Sequence, residues 1–155
     1  MRRGFTLLIA EDNDNDAILF RHAADSGAKR VNIAINIHRV RDGEEAIEYL
    51  SGAKNFSNRK VHPFPDLIVL DLKMPLLNGL DVLKWLKDHP EYRRIPKILF
   101  SGSGLEKDVE KAYQLGANTY FEKPGSLDEY RELVYHLVAY WGYTKRPTVR
   151  EAARA

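Results

Sequence analysis

LIVLDLKMPLLNGLDVL, Leu67–Leu83, starts as four aliphatic residues, stops on a carboxylate at Asp71, turns through Pro75 and Gly79, and resumes with Val82 and Leu83. A short continuous apolar run bounded by turn residues is the pattern of a strand buried on both faces, and Asp66–Leu70 fits it. Val82, Leu83 and Leu86 then recur at helical spacing. The same alternation repeats on either side. Phe5–Ala10, Lys97–Phe100 and Asn118–Phe121 are further strand candidates, and Ile33, Ile35 and Ile37 alternate with Ala34, Asn36 and His38 as a half-exposed one. Helical stripes separate them: Ala17, Phe20 and Ala24; Ala46, Ile47 and Leu50; Val109, Ala112 and Tyr113; and a last, long one from Leu127 to Trp141. Gly27 is placed to close the first helix, Asp42 and Ser126 to cap the second and fifth, and Gly116 to follow the fourth in a left-handed conformation.

Strand and helix alternating five times predict an α/β domain: a doubly wound, five-stranded parallel sheet of order 2-1-3-4-5 with helices on both faces. The 155 residues suit one domain with one sizeable core. A net charge of +2 is too small to argue for nucleic acid or membrane as a partner. The absence of cysteine removes disulfides, thiolate metal sites and cysteine nucleophiles. No apolar run has the length of a secretory signal or a membrane span, so a cytoplasmic location is expected. Ser51–Pro65 (SGAKNFSNRKVHPFP) reads as a long polar loop, and residues 142–155 read as a flexible tail with no output domain after it.

In an open parallel sheet, ligands bind outside the carboxyl ends of the strands, at the point where strand order reverses. Strand one ends in Glu11-Asp12, strand three in Asp71, strand four in Ser101, and strand five runs into Lys123-Pro124; strand two ends without a comparable group. Each residue alone has an ordinary explanation as a cap, a turn residue or an exposed charge. Their joint placement is harder to explain that way, because separate turns seldom deliver complementary charges to one end of one sheet. Three clustered carboxylates repel, and an oxygen-rich acidic cluster with an open side suits Mg²⁺, or Mn²⁺ in its place. A carboxylate beside such an ion can attack a phosphoryl group, with lysine supplying a further point charge.

The runs LLIAEDNDND (7–16), LIVLDLKMPLLNGLDVL (67–83), IPKILFSGS (95–103) and GANTYFEKP (116–124) resemble the receiver domain of two-component response regulators. The likeness extends from Phe5 to Trp141, giving a receiver unit over residues 5–141 with a CheY-like fold. It implies that Asp71 is the phosphoacceptor, and that Glu11, Asp12, Asp71 and the backbone carbonyl of Lys73 hold the metal. It also implies that Lys123 pairs with phosphoryl oxygens ahead of a cis Pro124, that Ser101 is the switch hydroxyl, and that Tyr120 is the switch aromatic. The implied partners are a sensor histidine kinase or phosphotransfer protein, a downstream protein target, and a second copy in a homodimer. The long loop before strand three and the Tyr140-Trp141 ending are similar to stand-alone receivers associated with phytochrome-type kinases.

Three rivals fit less well. Asp12-Asn13-Asp14-Asn15-Asp16 imitates an EF-hand start, but Ala17 and Ala23 stand where that loop needs glycine and a bidentate glutamate. An aspartate-nucleophile phosphatase needs a carboxylate two residues after Asp71, where Lys73 stands. A flavin protein on this topology wants a Ser/Thr/Gly-rich loop after strand one, where the acidic pair stands. A receiver serving mainly as a scaffold carries the same residues as a working switch.

Overall fold

The computed structural model describes residues 4–146. Five parallel strands, β1 (Phe5–Ala10), β2 (Ile35–Val40), β3 (Leu67–Leu70), β4 (Lys97–Ser101) and β5 (Thr119–Glu122), lie in the order β2-β1-β3-β4-β5. The helices are α1 (Asp14–Arg30), α2 (Gly43–Ser51), α3 (Gly79–Lys87), α4 (Glu106–Gln114) and α5 (Leu127–Tyr143). The expected fold class and strand order are the observed ones.

Side-chain alternation along the central strands separates two cores. Phe5, Leu7 and Ile9 of β1, Leu67 and Val69 of β3, and Ile98 and Phe100 of β4 pack beneath α1 and α5, against Phe20, Ala24, Val134 and Val138. Leu8, Ala10, Ile68, Leu70 and Leu99 point the other way, to Ala46, Leu50, Val82, Leu83, Leu86 and Ala112 of α2, α3 and α4. Strands covered on both faces must be apolar throughout, which is why β1, β3 and β4 read as continuous runs. A fully buried Leu or Ile contributes about 1.5–3 kcal/mol relative to exposure, so these layers drive folding.

Several local expectations shift. β2 begins at Ile35 rather than Ile33, and β5 runs from Thr119 to Glu122. Asp66 lies just outside β3, and its carboxylate accepts the Thr6 amide at 2.8 Å. Gly27 does not close α1: the helix continues through Ala28, Lys29 and Arg30, all good helix formers. The glycine is used for packing, since a Cβ there would lie 3.1 Å from the Tyr135 Cα of α5. Asp42 and Ser126 cap α2 and α5 through the Glu45 and Glu129 amides, and Gly116 takes φ +102° after α4. Helix α5 includes Gly142 and Tyr143, the first residues of the expected tail; positions 147–155 of that tail lie outside the described residues.

The polar loop before β3 is pinned to α2. Arg59 donates to the Tyr49 and Leu50 carbonyls at 2.7 Å each, satisfying C-terminal acceptors that the helix cannot satisfy itself. The Tyr49 hydroxyl donates to the Pro63 carbonyl at 2.8 Å.

Helix α3 starts under the end of β3. Asn78 and Asp81 form a reciprocal capping box, and the Gly79 amide donates to the Leu72 carbonyl. A methyl at Gly79 would collide with the Asp71 carbonyl oxygen. Gly79→Ala should therefore cost about 1–3 kcal/mol in chemical denaturation. Gly125→Ala, where no atom lies within 4 Å of the added methyl, should leave stability within about 0.5 kcal/mol of wild type. Equal stabilities for the two variants would show that the close approach is not a constraint.

Candidate functional site at the carboxyl ends of the strands

The parallel register delivers the expected residues to one edge. Ala10 pairs with Leu70, so Glu11 and Asp71 follow side by side, and the Asp71 amide donates to the Ala10 carbonyl. Ser101 pairs with Glu122, and the Lys123 amide donates to the Ser101 carbonyl at 2.7 Å. From there the Lys123 ammonium reaches across the crevice to Glu11 Oε1 at 2.7 Å and Asp71 Oδ2 at 3.0 Å. Asp16 Oδ2 lies 3.6 Å from the same ammonium. Carboxylate oxygens of Glu11, Asp12 and Asp71 fall within 4.8 Å of one another.

The three carboxylates differ in exposure. Glu11 is buried, Asp71 is half-buried, and Asp12 is exposed at the mouth. Burial, reinforced by the Asp71 charge and only partly offset by the Lys123 hydrogen bond, pushes the Glu11 carboxyl up to about 7. Burial also works against the Lys123 ammonium, but the Glu11 hydrogen bond and the two negative charges outweigh it and hold it above its ordinary value. One ammonium faces three carboxylates, so the formal charge of the cluster stays negative. Hard oxygen donors, an open side and surplus negative charge fit a divalent cation, held by one or two carboxylates and completed by water or phosphate oxygens.

The remaining expected residues surround this cluster. Ser101 is buried, and its hydroxyl accepts the Ser103 amide at 3.2 Å. The Tyr120 hydroxyl donates to the Ser103 carbonyl at 2.7 Å, tying the aromatic to the β4–α4 loop. The Lys73 amide donates to Asp71 Oδ1 at 3.3 Å, while its side chain is exposed. No cis peptide bond occurs among the described residues, so Lys123–Pro124 is trans, contrary to the cis form that the resemblance implied. The intrinsic preference between the two is only about 0.5–1 kcal/mol for X–Pro bonds.

Arg39 was missed. β2 was expected to bring nothing to this end of the sheet, yet Arg39 donates from Nε to the Glu11 carbonyl at 2.9 Å and from Nη1 to Asp14 Oδ1 at 2.7 Å. It clamps the acidic loop from behind, and with Arg41 it holds the Asp14 carboxyl below its usual range. Ser103 was missed too. It is buried, and its hydroxyl donates to Asp108 at 2.6 Å.

A carboxyl raised above its unfolded value stabilises the fold at low pH, and that contribution is lost as pH rises through the folded value. Between an ordinary 4.5 and about 7, ionising Glu11 therefore erodes the stability of the metal-free protein, by about 3 kcal/mol at most. Glu11→Gln in EDTA should match wild type near pH 5 and become progressively more stable than wild type up to pH 8. A stability difference that stays flat with pH, measured by denaturant titration, would refute the assignment.

Against known proteins, the response regulator receiver domain family matches residues 7–135. The polar-differentiation response regulator DivK of Brucella ovis is 34% identical over 130 residues, covering 83% of this chain and 92% of its own. The crystal structure of the phosphorylated cyanobacterial phytochrome response regulator RcpA superposes with a TM-score of 0.84 at 30% identity, covering 94% of this chain and 99% of its own. A response regulator in red light signalling of R. palustris gives 0.82 at 32% identity, covering 92% and 98%. The Mn²⁺-bound form of response regulator Rcp1 gives 0.83 at 28% identity, covering 93% and 99%. With a matched family and a matching fold over nearly the whole described length, this chain belongs to the response regulator receiver domain family.

Proposed function

We propose that this chain is a phosphorylation switch in two-component signalling, that Asp71 is its phosphoacceptor, and that the receiver unit spans residues 5–141. The observation that carries the reading is the Lys123 ammonium bridging Glu11 and Asp71, with Asp12 beside them, at the switch point of the sheet. The donor is a phosphohistidine on a sensor kinase or phosphotransfer protein. Similarity to phytochrome response regulators favours a phytochrome-type kinase as the source.

Asp71 attacks phosphorus through a carboxylate oxygen. The P–N bond of the phosphohistidine breaks, and its electron pair remains on the imidazole. Glu11, Asp12, Asp71 and the Lys73 carbonyl would hold Mg²⁺ or Mn²⁺, which supplies neutralising charge to the phosphoryl oxygens. Lys123 gives up part of its pairing with Asp71 and donates to a phosphoryl oxygen instead. Arg39 keeps the Glu11 backbone fixed while the charge at the site changes.

The phosphoryl group carries about −1.5 to −2 charge near neutral pH, by analogy with other phosphorylated side chains, in place of the single carboxylate charge of Asp71. Ser101 turns its hydroxyl toward that charge, which requires it to leave the Ser103 amide it now accepts from. Tyr120 follows the loop to which its hydroxyl is bonded. The face made of α4, β5 and α5 is remodelled as a result, a two-state bias of the kind phosphorylation imposes. Tyr113 and Tyr140 are exposed on that face and offer contact area to a target or a second copy.

With Mg²⁺ and acetyl phosphate, intact mass should show the addition of one phosphoryl group to wild type and none to Asp71→Asn. Lys123→Ala should slow uptake on the order of 100-fold, as removal of one charge-stabilising donor does elsewhere. Labelling of Asp71→Asn at the wild-type rate would place the acceptor at another residue.

A further inference from the structure

Helix α4 is weakly held. Ala112 is its one buried residue, whereas α1 buries six, and its N-cap residue Leu105 provides no side-chain hydrogen bond. A helix with so little burial takes its position from a few specific contacts, and such elements lie at the low-stability end of a fold.

Two side-chain hydrogen bonds do that here, one toward each end. Near its start, Asp108 accepts the Ser103 hydroxyl at 2.6 Å, and the Ser103 hydroxyl oxygen in turn accepts the Leu105 amide at 3.4 Å. Near its end, the Tyr113 hydroxyl accepts the Tyr120 amide of β5 at 3.1 Å. β5 is an edge strand, and this bond satisfies an amide that has no neighbouring strand on that side. Both tethers lead straight to the switch residues. The Ser103 amide donates to the Ser101 hydroxyl and its carbonyl accepts the Tyr120 hydroxyl, so its three polar groups join Ser101, Tyr120 and α4.

We propose that Ser103 and Tyr113 are positioning residues that tether the two ends of α4 to Ser101 and Tyr120, so that a rearrangement at the strand ends is transmitted to α4. This rests on Asp71 being the phosphoacceptor. Neither side chain touches the carboxylate cluster, so uptake does not need them. If Ser101 turns inward it releases the Ser103 amide, Ser103 shifts, and Asp108 is pulled or freed with it. Tyr113 makes the other end of α4 follow the β5 backbone at Tyr120. Removing one tether leaves the helix attached at a single end.

The test compares wild type, Ser103→Ala, Ser103→Thr, Tyr113→Phe and the double variant Ser103→Ala/Tyr113→Phe. Each is incubated with Mg²⁺ and acetyl phosphate, then read by intact mass for uptake and by amide hydrogen exchange for the response of residues 106–114. Uptake should stay within about twofold of wild type in all of them, because the acceptor and Lys123 are intact. The phosphorylation-dependent change in exchange across α4 should fall by at least half in each single loss and vanish in the double variant. Ser103→Thr, which keeps the hydroxyl, should restore it. Tyr113 is half exposed, so its phenylalanine variant tests the second tether without threatening the fold. Normal uptake with an undiminished α4 response in the double variant would overturn the tethers alone. No uptake by wild type would overturn the phosphoacceptor reading and the tethers with it.

Discussion

The Lys123 ammonium, 2.7 Å from Glu11 and 3.0 Å from Asp71, is the contact on which the rest of the site depends. Without it, a buried carboxylate and a half-buried one would face each other with no counter-charge, at a cost the fold would have to meet elsewhere. With it, the cluster is held together, but one ammonium faces the three carboxylates of Glu11, Asp12 and Asp71. That imbalance of formal charge fits a divalent cation held by hard oxygen donors.

The sheet makes the contact possible. Glu11, Asp71 and Lys123 are separated by 112 and 52 positions along the chain at the Lys123 pairings, yet a parallel sheet returns every strand in the same direction and collects their carboxyl ends. The two apolar layers lock the register, since a one-residue slip of β1 or β3 would exchange the layer facing α1 and α5 for the one facing α2 and α3. Gly79 sets a further constraint by letting α3 begin against the Asp71 carbonyl.

This explains which features were legible in the sequence. The strand order and the set Glu11, Asp12, Asp71, Ser101 and Lys123 follow from local patterns plus one topological rule, so they could be placed without coordinates. The caps at Asp42 and Ser126 are also local, involving residues three apart. Arg39 was not legible, because an arginine in an edge strand has several directions open to it and only the folded chain selects the Glu11 carbonyl. Arg59 escaped for the same reason, as a basic residue inside a polar loop gives no sign that it will cap α2. Gly27 misled because a glycine that permits close helix packing looks the same in sequence as one that ends a helix. Ser103 carried no signal in the sequence, since its three bonds all go to partners outside any periodic pattern.

The most direct test of the central claim is chemical location of the modified carboxylate. Borohydride reduces an aspartyl phosphate to homoserine, so wild type phosphorylated in Mg²⁺, reduced and mapped by peptide mass should show homoserine at position 71 and nowhere else. Homoserine at position 12 or another carboxylate, or an unreduced chain after demonstrated phosphoryl uptake, would contradict the assignment of Asp71 as the residue that accepts the phosphoryl group.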